Sequence, residues 1–227
     1  MSVQGLFNQY ASEYDEARKR LVPCFDDFYQ TVIDIVPFDR EQRIVVLDLG
    51  AGTGLMTALL AATFVNAHFT LVDLADRMLD VARKRLNEFG RRFSFSTADY
   101  AGPGKITGEC DLVVSGLSIH HLDDHRKERL FQAVFQHLKP GGLFINADQV
   151  LGETPEIDQI YRSKWISKVR YLGSSEEEIR AAFERMKADK MSTLSHQLGA
   201  LEKTGFSQVN CWFKQYSFVV YSGQKPA

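Results

Sequence analysis

Cysteine is scarce in this chain. Its three residues, Cys24, Cys110 and Cys211, lie far apart, with no CxxC pair and no histidine at a zinc-ligand interval. That spacing indicates neither a disulfide framework nor a metal site, so no metal ligands are expected and the thiols read as reduced and buried. An excess of one charge is missing too: 27 Lys and Arg stand against 29 Asp and Glu, for a net charge of −2. No global field therefore favours nucleic acid or anionic lipid. No apolar run approaches a membrane span, and "MSVQGLFNQY" lacks the basic start and apolar core of a signal peptide. A cytoplasmic location is expected, with no membrane partner. No internal repeat or low-complexity segment interrupts the 227 residues, a length that suits one domain.

What is present is an alternation of apolar runs with helical periodicity, the pattern of βα units and a parallel sheet. Strands are expected at 43–49, 68–73, 93–97, 110–115 and 142–148, with helices over 55–65, 75–90 and 124–139. "KPGG" (139–142) reads as a turn into the fifth strand. The end of the chain offers two strands joined by a short turn, which makes them antiparallel neighbours. An N-terminal stretch divided near Pro23 and an insert from about Thr154 to Leu194 read as helical. In the insert Ser175 and Glu178 match a capping box.

The segment "VVLDLGAGTGLMTALL" supplies the first candidate binding loop. Gly50, Gly52 and Gly54 permit tight turning and close approach of a ligand to backbone N–H groups at a helix N-terminus. Leu55 and Thr57 break both registers of the dinucleotide GxGxxG, and no GKS or GKT completes a P-loop. The motif that fits is GxGxG, with Asp73 ending the second strand, where a carboxylate can accept both hydroxyls of a ribose.

These features together resemble the class I S-adenosylmethionine-dependent methyltransferases. "VLDLGAGTG", "LVDLADRML", "TADY", "CDLVVSGLSIHHL" and "LKPGGLFI" match that family's motifs in order, over about Tyr14 to Leu151 and, by layout, the terminal strand pair. The resemblance implies a Rossmann-like, doubly wound α/β sheet of seven strands, mostly parallel with an antiparallel last strand. It implies a single methyltransferase domain: a helical lid (1–40), a cofactor-binding core (41–153), a helical substrate cap (154–194) and a terminal helix with a strand pair (195–227). S-adenosyl-L-methionine is the implied cofactor. Gly50, Ala51 and Gly52 would face its methionine part, and Asp73 its ribose. Leu74 and Met78 would pack on the adenine, Asp99 would accept from the adenine amino group with Tyr100 beside it, and Ser115 and Gly116 would pass under the sulfur. Met78 also fits a plain apolar stripe, and Asp99 a turn-forming role before "AGPG".

The "NQYASEYDEARKRLVP" segment resembles the lid of many such enzymes. Tyr10 and Tyr14 share a helical face, and Arg18 or Arg20 would meet the methionine carboxylate, against the plainer reading of a solvated surface. His120 is the candidate proton acceptor with His121 beside it, unless either is a structural histidine; Asp148 points to the same rim as a candidate substrate contact. Tyr161, Trp165, Tyr171 and Phe183 offer an aromatic lid or simply core.

The implied reaction is methyl transfer to a small molecule. Nucleic acid is disfavoured, since no NPPY or DPPY signature and no basic tract with aromatics is present; a homodimer is compatible with the sequence. The tail "LEKTGFSQVNCWFKQYSF" and "RLVPCF" also resemble carboxy-S-adenosylmethionine synthases of tRNA wobble-uridine modification, although Phe25 stands where that subfamily favours Tyr. A non-catalytic S-adenosylmethionine-binding module and an oxidoreductase are further alternatives.

Overall fold

The structure, a computed structural model, describes residues 14–102, 106 and 108–227, with side chains described from residue 18 onward. Among them the order of elements is α1 (Tyr14–Leu21), α2 (Phe25–Asp34), β1 (Val45–Leu49), α3 (Leu55–Thr63), β2 (His68–Asp73), α4 (Asp76–Leu86) and β3 (Phe93–Thr97). There follow β4 (Cys110–Gly116), α5 (Asp124–His137), β5 (Leu138–Gln149), α6 (Pro155–Tyr171), α7 (Glu176–Met186), α8 (Leu194–Thr204), β6 (Ser207–Gln215) and β7 (Phe218–Gln224). The seven strands form one sheet in the order β3-β2-β1-β4-β5-β7-β6. β1 to β5 pair in parallel, and β7 is antiparallel to both of its neighbours.

Strand alternation divides the core between two faces. Val46, Leu71, Leu112, Val114, Ile145 and Val220 meet Phe28 and Val32 of α2 and Leu60 of α3 on one side. Leu47, Val72, Val113, Phe144 and Val219 meet Phe131 and Val134 of α5 and Leu201 of α8 on the other. A sheet buried on both faces needs apolar residues at consecutive positions, which is why β1 and β4 read as continuous apolar runs.

The fifth strand is longer than expected. The "KPGG" residues lie inside β5, because Gly141 N donates to Lys225 O (3.0 Å) and Lys225 N donates to Gly142 O (2.9 Å). Pairing with the chain end thus converts a local turn signal into an irregular strand, with a register shift against β4 between Cys110 and Leu112. The capping box at α7 is formed, Ser175 and Glu178 each accepting from the other's backbone N–H. Among the described residues no helix is long and apolar enough to cross a membrane.

The strand order reverses between β1 and β4, so the loops after these strands diverge and leave a crevice at their C-terminal ends. The insert helices fold back over that crevice. Trp165 of α6 donates from Nε1 to Leu21 O (2.9 Å), and Arg20 of α1 pairs with Glu178 of α7.

Candidate functional site

Two adjoining cavities occupy this edge. The larger, about 250 Å³, is walled by Gly50, Gly52, Asp73, Leu74, Met78, Asp99 and Tyr100, together with Ser118, Leu122 and Arg126. The smaller, about 110 Å³, is walled by Leu21, Val22, His120, Gln149 and Trp165, with Arg185, Met186 and Asp189. Arg18, Leu117 and His121 line both.

The first turn explains the glycine spacing. Gly50 has φ +70, and a Cβ there would lie 1.8 Å from Ser118 Oγ. A larger residue would therefore drive Ser118 out of place, and Ser118 in turn bonds Tyr100 Oη (2.8 Å). Gly50 N and Ala51 N both donate to Val72 O, at 2.8 and 3.1 Å. Asp73 completes the turn by accepting from Gly52 N at Oδ2 (2.7 Å) and from Ala75 N at Oδ1 (2.8 Å). Burial raises its pKa, while these backbone donors and the charge of Arg18 oppose the rise. The carboxylate also lines the larger cavity.

Asp99 makes the turn foreseen for it and also lines the larger cavity. Its Oδ1 accepts from Ala101 N (3.1 Å), which makes a turn, and its Oδ2 accepts from Arg126 Nη2 (2.6 Å) at the cavity wall. Met78 is buried and Leu74 partly exposed, and both reach the cavity. Ala51 is buried in the core rather than in the wall. Ser115 and Gly116 also stand behind it: Ser115 is fully buried, with its hydroxyl donating to Leu49 O (2.8 Å) across the β1–β4 pair. Leu117 and Ser118 take their place. Leu117 holds φ +52, costly for a branched side chain, and its N donates to Ala147 O (2.8 Å). Arg18 is nearly buried and donates from Nη1 to Tyr29 Oη (3.3 Å). Tyr10 and the Tyr14 side chain lie outside the described residues.

At the smaller cavity, the expectation that Asp148 contacts substrate is corrected. Its carboxylate is fully buried and spent on the protein: Oδ1 is 2.5 Å from His120 Nδ1 and accepts from Gln149 N, and Oδ2 accepts from His120 N (3.0 Å). Burial raises the Asp148 pKa, but His120 and these donors outweigh it and hold the group below the usual carboxylate range. For His120 burial works downward, and Asp148 and Asp189 outweigh it to give a net rise. His121 is lowered, by burial and by the neighbouring His120. The two rings stand 4.1 Å apart between centroids. Of the insert aromatics Trp165 walls this cavity and stacks edge-on with Phe183. Tyr161 packs with Tyr216, and Tyr171 is exposed, so neither forms a lid. Arg20 is committed to Glu178, which leaves Arg18 as the arginine of this helix at the cavities.

Sequence reasoning missed Leu117, Ser118, Arg126, Arg185 and Asp189. The first two sit in the "SGLSIHH" motif and were within its reach. Arg126 and Arg185 reach the site from helices and Asp189 from the loop after α7, and no local pattern ties these elements to it.

Residues 46–142 match the family model described as a methyltransferase domain. Over that segment the chain is similar to the class I S-adenosylmethionine-dependent methyltransferases, in line with its motif order and its sheet. It is 22% identical to a carboxy-S-adenosyl-L-methionine synthase of Nautilia profundicola, over 94% of this chain and 91% of that protein. It is 38% identical to a malonyl-[acyl-carrier protein] O-methyltransferase of Chlorobium phaeovibrioides, over 52% of this chain and 45% of that one. The fold matches human N-acetylserotonin methyltransferase in complex with S-adenosylmethionine with a TM-score of 0.63 at 16% identity, over 99% of this chain and 57% of that structure. Among solved methyltransferases of this kind the chain spans little more than half of the longer protein's length.

Proposed function

We propose that this methyltransferase binds S-adenosylmethionine in the larger cavity and transfers its methyl group to a small molecule held in the smaller one. The observation that carries the reading is the shared wall of Arg18, Leu117 and His121, which lets a donor and an acceptor meet across one seam. Gly50 and Gly52 cradle the methionine part, Asp73 takes the ribose hydroxyls, and Leu74, Met78 and Asp99 receive the adenine. Arg18 faces the methionine carboxylate.

The sulfonium is already an activated donor, so alignment and exclusion of water are what the protein must add. The acceptor's lone pair attacks the methyl carbon, the carbon–sulfur electrons return to sulfur, and any acceptor proton leaves at the end of the chamber that His120 and His121 form. A cavity of about 110 Å³ suits a small acceptor group rather than a nucleic-acid strand. The free thiols Cys24 and Cys110, both buried, accord with a cytoplasmic location. The test is release of S-adenosylhomocysteine against a panel of small hydroxyl, amine and acid acceptors, beside titration calorimetry with S-adenosylmethionine; absence of cofactor binding overturns the reading.

Two observations favour a second reading, a carboxy-S-adenosylmethionine synthase-like enzyme that modifies the cofactor. The relatives matched over nearly the whole chain carry that name. Arg185, half-buried at the smaller cavity, has no carboxylate partner among the described residues, which suits an anionic group on the ligand. The mass of co-purified cofactor separates the two: a carboxylated sulfonium transfers the assignment to this reading.

A further inference from the structure

Three side chains from two distant stretches meet at the inner wall of the smaller cavity. His120 and His121 come from the single 3-10 turn after β4, and Asp189 from the loop after α7. Nε2 of His120 lies 3.7 Å, and Nδ1 of His121 2.9 Å, from the same Asp189 oxygen. The three ligand atoms fall within 4.8 Å of one another, on side chains only 6, 18 and 5% exposed. Donors about 2.1 Å from one cation at tetrahedral angles stand about 3.4 Å apart, so the two separations to Asp189 bracket the value a cation needs.

The cluster is also held in place from behind. Asp148 engages Nδ1 of His120, which leaves Nε2 as the nitrogen turned to Asp189. A carboxylate on the far nitrogen is the arrangement that orients metal-bound imidazoles. The Asp189 loop is clamped to the same turn: Lys190 N donates to His120 O (2.7 Å), and the buried Lys127 donates to Lys190 O and to Ser192 Oγ. Lys127 and Arg185 bring positive charge nearby, but Lys127 is taken up by these acceptors and by Asp124, and Asp148 and Asp189 supply two carboxylates to the cluster.

We infer that His120, His121 and Asp189 form a binding site for a first-row divalent transition cation. Two imidazoles and one carboxylate suit zinc, cobalt, iron or nickel, whereas magnesium and calcium prefer all-oxygen sets. Three protein ligands leave coordination positions open. The role of the cation rests on the acceptor-chamber reading above. A hydroxyl acceptor binds through its oxygen, loses its proton to solvent because the cation lowers its pKa, and attacks the methyl carbon, with the carbon–sulfur electron pair leaving on sulfur. Cation binding itself needs neither cofactor nor acceptor.

The experiment is a titration of tag-free, chelator-treated protein with Co²⁺, read by calorimetry and by visible absorption, with Mg²⁺ as a control. One saturable Co²⁺ site is expected, with no comparable Mg²⁺ binding. Asp189→Asn should weaken Co²⁺ at least ~100-fold, and Asp148→Asn by 10–100-fold through His120. Each variant is checked by circular dichroism for folding; His121→Asn serves in place of any that fails. Absence of a saturable Co²⁺ site, or binding by Asp189→Asn equal to that of the unaltered chain, overturns the proposal. S-adenosylmethionine titrated separately distinguishes the two failures: its loss alone removes the cofactor reading and leaves the cation site standing.

Discussion

The two cavities share three wall residues but are built in opposite ways. The larger is assembled mostly from loops that follow neighbouring parallel strands, and its key hydrogen bonds are made by backbone N–H groups that the strands themselves position. The smaller is assembled from α1, the turn after β4, two insert helices and the loop after α7. Its geometry depends on side chains reaching between elements, such as Arg20 to Glu178, Trp165 to Leu21 and Lys127 to Ser192. The first is therefore rigid by backbone pairing, and the second is rigid only while its insert stays docked.

The sharpest way to break this contrast is at Gly50. Gly50→Ala meets both a left-handed backbone and Ser118 Oγ at 1.8 Å, so a loss of several kcal/mol in stability or abolition of cofactor binding is expected. Gly90→Ala, at φ +82 and ψ −157 but with open space around its Cβ, should cost about 1–3 kcal/mol by thermal unfolding, from backbone strain alone. Equal effects would show that the clash plays no part.

A pH effect is expected behind the larger cavity. Asp48 is buried on Thr57 Oγ1 (2.6 Å), and burial pushes its pKa up to about 7. A folded value above the unfolded one means that the native state keeps a proton the unfolded chain releases. This contribution is therefore most favourable below about pH 4 and is lost as pH climbs towards 7, a change of roughly 3–4 kcal/mol. Asp48→Asn should flatten the pH dependence of denaturant-unfolding free energy over that window; an unchanged slope would place the titration elsewhere.

Asp73→Asn retains only one acceptor oxygen for Gly52 N and Ala75 N. S-adenosylmethionine affinity should fall about 10–100-fold by calorimetry, the cost of one charge-assisted hydrogen bond of about 1.5–3 kcal/mol. The smallest effect is expected at the insert. Arg20→Ala removes a partly exposed ion pair worth about 0–1 kcal/mol. Cofactor affinity should stay unchanged while the acceptor KM rises a few-fold, and a larger effect on cofactor than on acceptor would show that the Arg20–Glu178 pair chiefly holds Arg18 at the larger cavity.

Legibility in the sequence followed the same division. The strands at 68–73 and 93–97 were readable to the residue, because their apolar and β-branched runs are bounded by polar or turn residues. The start of β5 was not, since "KPGG" signals a turn locally and only Lys225, far along the chain, makes it strand. That Gly50, Gly52, Asp73 and Asp99 gather at one cavity was legible because their motifs are contiguous with the strands that carry them. Asp148 was seen but given the wrong partner: position at a strand end says that a carboxylate reaches the rim, not that His120 will occupy it. Asp189 carried no signal.

By itself, the sequence determined the alternation of strands and helices, the absence of a dinucleotide or P-loop signature, and the glycine-rich loop that lines the larger cavity. These are local matters of periodicity, backbone freedom and spacing. Only the tertiary structure decided that Leu117 rather than Ser115 walls the cavity, that Asp148 serves His120, and that His120, His121 and Asp189 share one corner. The physical reason is that a side chain's partners are set by which elements pack together, and the docking of α1, α6 and α7 over the strand ends is a long-range outcome that no short stretch encodes.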